Sequence, residues 1–319
     1  MVRSRRDKIR MTTAIAHPNI ALVKYWGKQN NTLNHPASPS ISITLDSLTT
    51  TTKVATSTET RLVLNGKRIE DLKVANFLDL FRQQFGLPPV SVETDNNFPT
   101  GAGLASSASG FAALVTALSE HFQLGLNLST LSEWARRGSA SSARSIYGGF
   151  VTLQGPNWRA DQLAKESHWE LEICIIVTNE GPKKISSTTG MKSSEATSPF
   201  YLEWIKTADS DFEIAKKAIV ERDFMKLSEV AEQNCLKMHS VIHTSQPAIS
   251  YWAPGTVSAM EQVREIRNAG TPAFFTMDAG PQVKVIYPRQ CRAIIQKSLE
   301  ELKNVRLIWA SIGPGAHLV

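Results

Sequence analysis

The sequence is poor in the features that would place a protein outside the cell, in a membrane or around a structural metal. It has three cysteines in 319 residues, Cys174, Cys235 and Cys291. They are too few and too widely spaced for a disulfide framework or a metal-ligand set, and they point to a reducing cytoplasm. No apolar run approaches the roughly 20 residues that cross a bilayer. The basic segment Met1–Arg10 lacks the apolar stretch of a secretory signal. No Gly-Lys-Ser/Thr follows a glycine-rich loop and no glycines take the dinucleotide-binding spacing, which excludes the common P-loop and Rossmann readings. Internal repeats and low-complexity linkers are also missing.

Excess charge is scarce as well. The formal net charge is +6, but residues 1–10 carry five basic groups and one acid, so +4 of it lies in a segment that reads as a flexible basic extension over residues 1–11. The rest is near +2, with no basic stripe interleaved with aromatics. That argues against nucleic-acid binding and suits an enzyme with anionic substrates. Hydrophobic residues make up 42% and charged residues 20%, an ordinary globular balance with room at this length for two cores.

What is present reads as two α+β domains, residues 1–182 and 183–319. Strands are expected at Ile41–Leu45, Thr49–Val54, Arg61–Leu64 (ending at the hairpin signal Asn65-Gly66), Val90–Thr94, Tyr147–Leu153 and Leu171–Thr178. A helix is expected over Ile69–Phe85. Thr130-Leu-Ser-Glu133 matches a capping box and predicts a helix start. Ser198–Ile242 reads as nearly continuous helix with breaks near Asp209 and Asp223. Val257–Ala269 and 289–302 read as helices, and Ala273–Met277, Val283–Tyr287 and Val305–Ala310 as strands.

One loop carries chemistry. Pro99-Thr-Gly-Ala-Gly-Leu-Ala-Ser-Ser-Ala108 runs into a helix whose Phe111, Leu114, Val115, Leu118 and Phe122 recur at spacings of three and four. Small residues at a helix N-terminus let backbone N–H groups approach an anion, and the helix dipole adds to the attraction. Small residues also serve tight helix packing, so the loop alone leaves both readings open. Asp278 follows the apolar Ala-Phe-Phe-Thr-Met strand, where it either caps a turn or faces a substrate hydroxyl. Arg144 follows a Ser/Ala run and is either a surface arginine or a bidentate carboxylate clamp. His239 lies within a long helical segment and reads as structural.

Several segments together resemble the diphosphomevalonate decarboxylases of the GHMP kinase superfamily. They are Ala16-His-Pro-Asn-Ile-Ala-Leu-Val-Lys-Tyr-Trp-Gly-Lys28, Pro39–Leu45, Phe98–Ala108, Gly138-Ser-Ala-Ser-Ser-Ala-Arg144 with Tyr147-Gly-Gly149, Lys184–Met191 and Met277-Asp-Ala-Gly-Pro281. The Gly-Leu-Ala-Ser-Ser-Ala loop is shared with galacto-, homoserine, mevalonate and phosphomevalonate kinases. Lys-Tyr-Trp-Gly-Lys and Gly-Ser-Ala-Ser-Ser-Ala-Arg are narrower and select the decarboxylase branch.

The resemblance implies a GHMP kinase fold: an N-terminal domain like ribosomal protein S5 domain 2, a ferredoxin-like C-terminal domain, and the active site in the cleft between. It implies ATP-dependent decarboxylation of 5-diphosphomevalonate to isopentenyl diphosphate in a cytoplasmic homodimer, with ATP and the phosphorylated mevalonate as its small-molecule partners and neither nucleic acid nor membrane among them. Asp278, Arg144, Ser141 and Lys24 would be catalytic, Lys24 equally an internal ion-pair partner. Asn19, Tyr25, Lys28, Ser139, Ala140, Ser141, Arg144, Thr188 and Met191 would hold substrate. Pro99, Gly101, Ala102, Gly103, Leu104, Ala105, Ser106 and Ser107 would cradle ATP. Mg2+ is expected through the ATP phosphates with no side-chain ligand assigned, Ser107 being a candidate.

Three positions depart from the family pattern: Ala140 where glycine is usual, Gln282 where asparagine is commoner, and Thr188 where some relatives carry arginine. A glycine requirement at 140 would shift the Ser139–Ser141 loop. One cation fewer at 188 keeps a 5-monophosphate substrate in view, with a mevalonate 3-kinase as a further enzyme reading. From another class, the competing reading is a non-catalytic binding protein on the same scaffold.

Overall fold

The computed structural model describes residues 10–30, 32–99, 103–179, 181 and 183–319. Three large sheets and a two-stranded ribbon, Lys28–Asn30 with His35–Pro36, organise the described residues. A six-stranded sheet contains Met11–Ala16, Thr50–Thr56, Arg61–Leu64, Lys67–Arg68, Val90–Asn96 and His317–Leu318. A four-stranded sheet contains Asn19–Val23, Ser40–Thr44, Phe150–Gln154 and Arg159–Ala164, and another contains Leu171–Val177, Phe274–Thr276, Val283–Pro288 and Arg306–Ser311. Pairing is antiparallel apart from Arg61–Leu64 beside Val90–Asn96. That parallel pair needs a crossover, and the intervening helix α1 (Leu72–Phe85) supplies it.

Helix α1 starts where Asp71 accepts hydrogen bonds from the Lys73 and Val74 N–H groups, and it stops at Gly86 in the left-handed region. Helix α2 (Ser106–His121) is nearly all buried between α1, α3 and the six-stranded sheet, where Phe77, Phe81, Phe111, Leu114, Leu118 and Trp134 form one core. Helix α3 (Leu128–Gly138) begins earlier than expected. Its cap is Asn127, which accepts from the Thr130 N–H, so Thr130 sits inside the first turn rather than starting it. A 3-10 helix, Ala140–Ile146, follows at once.

The second half supplies α4 (Ser187–Thr197), α5 (Tyr201–Glu221), α6 (Phe224–His243), α7 (Pro254–Asn268) and α8 (Arg292–Leu299). The break near Asp223 is real: Arg222 turns left-handed and Asp223 caps α6. The break expected near Asp209 is not, because α5 runs straight through it. A second core joins the two four-stranded sheets through α5 and α6, with Ile20, Ile43, Phe150, Ile173, Phe212 and Phe274 among its members. A third core lies between the last sheet, α7 and α8.

Leu171–Val177 is a central strand of the last sheet, paired with Val283–Pro288 on one side and Arg306–Ser311 on the other. A division at residue 182 therefore separates that strand from its sheet. Of the extension expected over residues 1–11, Met11 opens the first strand and Arg10 lies 3.6 Å from Glu120, while residues 1–9 fall outside the described residues.

Candidate active site

Asp278 sits just beyond the strand Phe274–Thr276, where that strand runs out from under α6 into a turn. Its Oδ1 accepts from Lys24 Nζ at 2.8 Å and its Oδ2 lies 3.1 Å from Lys284 Nζ. Both lysines are buried, with side chains 2% exposed. A buried ammonium is costly without a partner, and one carboxylate serves the two. Burial opposes the ionisation of Asp278, but Lys24 and Lys284 outweigh it and hold its carboxyl well below the usual carboxylate range. Burial pushes the Lys24 ammonium down, against the pull of Asp278. Lys24 is fixed further: its Nζ donates to the Ala21 carbonyl at 2.7 Å and its backbone N–H to Asn234 Oδ1 at 2.7 Å. Asn234 is itself fully buried and donates to Asp211 Oδ2 at 2.8 Å.

Arg144, on the 3-10 helix, is 2% exposed. Its Nε donates to Ser42 Oγ at 2.9 Å, Nη1 to Ser40 Oγ at 2.5 Å and Nη2 to Asn19 Oδ1 at 3.2 Å. All three acceptors are neutral, and burial lowers its pKa to about 10. Asn19 in turn donates to the Ser141 carbonyl at 3.0 Å and Ser145 Oγ at 2.8 Å. The guanidinium lies 5.8 Å from the Tyr25 ring centre, and burial raises the Tyr25 hydroxyl pKa. Arg144, Asp278, Asn19, Lys24, Tyr25, Ser141 and Met191 line one cavity of about 140 Å3.

The small-residue loop closes that cavity. Gly103 has φ +80°, and its backbone meets Gly280 so closely that a Cβ on Gly103 would lie 3.4 Å from Gly280 Cα. Ala105, left-handed at φ 58°, stands at the N-cap of α2 and gives it no side-chain cap, which leaves the first N–H groups of α2 without their usual side-chain acceptor. Gly103, Ala105 and Ser107 line the cavity. On its other side Ser107, with Ser106, lines a more apolar cavity of about 190 Å3 bounded by Leu62, Ile69, Lys73, Val74, Val92, Phe111 and Leu114. The start of α2 thus lies between two cavities. Among the described residues no group of three or more His, Cys, Asp and Glu side chains is placed to hold a metal.

Residues 16–167 match the diphosphomevalonate decarboxylase-like N-terminal domain family, and residues 173–307 match the mevalonate 5-diphosphate decarboxylase C-terminal domain family. The chain belongs to the diphosphomevalonate decarboxylase family. It is 38% identical over 297 residues to the diphosphomevalonate decarboxylase of Candida albicans, covering 84% of this chain and 82% of that protein. The crystal structure of mevalonate diphosphate decarboxylase from Staphylococcus aureus superposes with TM-score 0.92 at 37% identity, covering 98% of this chain and 99% of that one. The structure of MDDEF in complex with MVAPP, AMPPCP and magnesium superposes with TM-score 0.91 at 39% identity, covering 97% and 98%. The two-domain α+β architecture is that of this family.

Within that frame, some sequence-derived residues stand away from the cavity. Lys28 donates to Asn34 Oδ1 at 2.6 Å and does not line it, and burial, with Lys73 and Lys192 nearby, lowers its pKa. Ser139 Oγ lies 3.3 Å from Ser141 Oγ, one step back. Thr188 is exposed in the first turn of α4. Leu104 turns its side chain into the core, so only its backbone is free to serve a phosphate. Pro99 lines neither cavity, and Gly101 and Ala102 lie outside the described residues. The Ala140 departure is harmless, since Ala140 is not among the residues of positive φ. Gln282 is buried and ties the turn to the neighbouring strand, accepting from the Thr178 N–H at 2.7 Å and donating to the Asn179 carbonyl.

Polar groups at the site escape the sequence reading. Lys284 lies behind Asp278 rather than on the cavity wall. Lys183 and Ser187 line the cavity, Lys183 donating to Ser187 Oγ at 2.9 Å and to the Ala279 carbonyl at 3.0 Å. A lysine flanked by valines in Val283-Lys-Val285 is the signal that was available for Lys284.

Proposed function

We propose that the chain catalyses the ATP-dependent decarboxylation of 5-diphosphomevalonate to isopentenyl diphosphate, with release of ADP, phosphate and carbon dioxide. The observation that carries this reading is the pair of charges on one cavity: a partly exposed carboxylate held ionised by two buried lysines, and a buried guanidinium whose acceptors are all neutral. The first is held in its ionised form without a ligand. The second has a counterion to gain, and the substrate carboxylate is that counterion.

The residues divide the work accordingly. Asp278 accepts a hydrogen bond from the tertiary hydroxyl and aims its oxygen at the γ-phosphoryl group. So stabilised a carboxylate is a weak base; it orients the hydroxyl and takes its proton only late, once the phosphoryl group has arrived through a loose transition state and made that oxygen acidic. Arg144 holds the carboxylate so that its C–C bond breaks in line with departure of the new 3-phosphate, leaving the alkene. Ser141 and Asn19 fix the arginine and its neighbourhood. Tyr25 and Met191 border the diphosphate tail inside the cavity, and Lys28 and Thr188, outside its walls, would meet only the far end of that tail.

Backbone N–H groups of Gly103, Ala105 and the first turn of α2 take the ATP phosphates, with the base in the apolar cavity beside Ser106 and Phe111. A neighbouring MDDEF structure carries MVAPP, AMPPCP and magnesium together. Mg2+ would enter on the ATP phosphates, with Ser107 a candidate hydroxyl for it, and would neutralise charge on the transferring group. A cytoplasmic location fits the three free, buried cysteines, and among the described residues no helix is long and apolar enough to cross a membrane. The homodimer that the resemblance implies is read by sedimentation.

Incubation with ATP, Mg2+ and each of mevalonate, its 5-phosphate and its 5-diphosphate, with ADP and carbon dioxide measured separately, tests the reading. Both products are expected from the diphosphate. ADP without carbon dioxide would make the chain a kinase. Turnover of the monophosphate alone would trace to the neutral Thr188.

A further inference from the structure

The last strand of the C-terminal sheet, Arg306–Ser311, does not end the fold. The segment after it leaves that sheet and crosses back over the N-terminal half. Ser311 and Asp46 exchange hydrogen bonds, the Ser311 N–H to Asp46 Oδ1 at 2.8 Å and the Asp46 N–H to the Ser311 carbonyl at 3.1 Å. Ile312 bridges Leu45. The Gly313 N–H donates to the Thr44 carbonyl at 2.8 Å, and the Gly313 carbonyl accepts from the Gly149 N–H at 3.0 Å. The Ala316 N–H donates to the Ile146 carbonyl at 3.2 Å. His317 and Leu318 then pair with Ile15 and Ala14 as an edge strand.

Two of these contacts fall on the two supports of Arg144. Ile146 is the last residue of the 3-10 helix that carries it. Thr44 is the last residue of the strand Ser40–Thr44, whose Ser40 and Ser42 hydroxyls hold its guanidinium. The Thr44 hydroxyl also donates to the Tyr147 carbonyl at 2.9 Å, tying strand to helix. Gly315 lies against the same point with no room for a side chain: a Cβ there would stand 2.4 Å from the Ile146 oxygen and 2.8 Å from the Gly148 nitrogen. A 3-10 helix has poor internal hydrogen bonds and keeps its shape only if its ends are held. A guanidinium fork is useful only if its plane is held to a few tenths of an ångström.

We infer that Gly313–Ala316 is a positioning segment for the catalytic chemistry, setting the orientation in which Arg144 meets the substrate carboxylate. The inference rests on the reading of Arg144 given under Proposed function. No residue of the segment touches substrate; it acts through Ile146 and Thr44.

The test uses the full chain and four variants. Gly315→Ala inserts the offending Cβ, and Ala316→Pro removes the N–H without adding bulk at 315. Truncation after Ala316 removes only the edge strand, and Arg144→Lys removes the fork. For each, KM for diphosphomevalonate, KM for ATP, the inhibition constant of isopentenyl diphosphate (which lacks the carboxylate) and Tm are measured. Gly315→Ala and Ala316→Pro are expected to raise KM for diphosphomevalonate about tenfold, while KM for ATP and the product constant stay within twofold. Truncation is expected to lower Tm and leave the three constants alone.

An unchanged substrate KM in both Gly315→Ala and Ala316→Pro, or all three constants moving together, overturns the inference. Should either variant fail to fold, the other decides. If Arg144→Lys itself leaves the ratio of substrate KM to product constant unchanged, it is the reading of Arg144 that fails. If Arg144→Lys moves that ratio and the two tail variants do not, the positioning role alone fails.

Discussion

The two charged centres on the cavity are built on opposite plans. Asp278 brings its counterions with it, two ammonium groups at 2.8 and 3.1 Å, one just past the strand Asn19–Val23 and one on the strand Val283–Pro288. Arg144 is buried as deeply as those lysines but is surrounded by serine and asparagine oxygens. A buried ion costs free energy unless it is paired, and neutral acceptors recover only part of that cost. The guanidinium therefore has no counterion in hydrogen-bond contact, whereas the Asp278 carboxylate has two. An unsatisfied charge is a place where a ligand is gained. A satisfied one is a fixed tool, already in its reactive ionisation state when the ligand arrives.

The largest effect should come from breaking the satisfied centre. Asp278→Asn leaves two buried ammonium groups facing a neutral amide and removes the acceptor for the substrate hydroxyl. Turnover, followed as ADP and carbon dioxide, is expected to fall by roughly 10³-fold, with a lower Tm because both lysines lose their partner. A drop in Tm with turnover intact would make the centre purely structural. The next largest should come from the unsatisfied one. Arg144→Lys keeps a charge but loses the planar fork, so kcat/KM for diphosphomevalonate is expected to fall by about 10²-fold. Tm should hold or rise, since no protein counterion is stranded. A Tm loss as large as that of Asp278→Asn would erase the contrast between the two centres.

Legibility in the sequence followed the range of the interactions. Asp278 was visible because an apolar strand running into Asp-Ala-Gly-Pro announces its own end. The start of α2 was visible because helix periodicity is local. Lys284 was missed because alternation in a strand does not say which face is buried; that follows from pairing with Leu171–Val177, more than a hundred residues away. Helix α4 was missed because Ser187–Thr197 is small and polar with little apolar periodicity, its start fixed instead by the Ser186 side chain accepting from the Thr189 N–H. The cap of α3 was placed three residues late, since Thr130-x-x-Glu133 and Asn127-x-x-Thr130 compete and only the packing of Leu131 and Trp134 against α1 and α2 chooses. The N-terminal supports of Arg144 and the Gly-Pro-Gly of residues 313–315 were legible as motifs that fit the family, but the bracing of one by the other was not.

The smallest effect sharpens how far the field of the satisfied centre reaches. His239, on α6 one turn beyond Cys235, accepts a hydrogen bond at Nδ1 from Trp252 Nε1 at 3.0 Å, which places its proton on Nε2, an atom with no partner among the described residues. Burial pushes its pKa down to about 3; Lys24, His243 and Lys284 push the same way against Asp278. The unfolded chain protonates this histidine below about pH 6.5, whereas the folded one does not until near 3. The unfolded state therefore binds the extra proton in between, and stability falls as the pH drops through about 6.5. His239→Gln removes that one titration. The Tm advantage of the wild type over His239→Gln should accordingly narrow between pH 7.5 and pH 5, even though His17, His121 and His243 are also depressed by burial and steepen both curves alike. Parallel curves would mean that His239 titrates alike in the folded and unfolded chain. The pull of Asp278 would then offset burial and the two lysines at α6, whereas an advantage that widens toward pH 5 would mean that Asp278 dominates the field there.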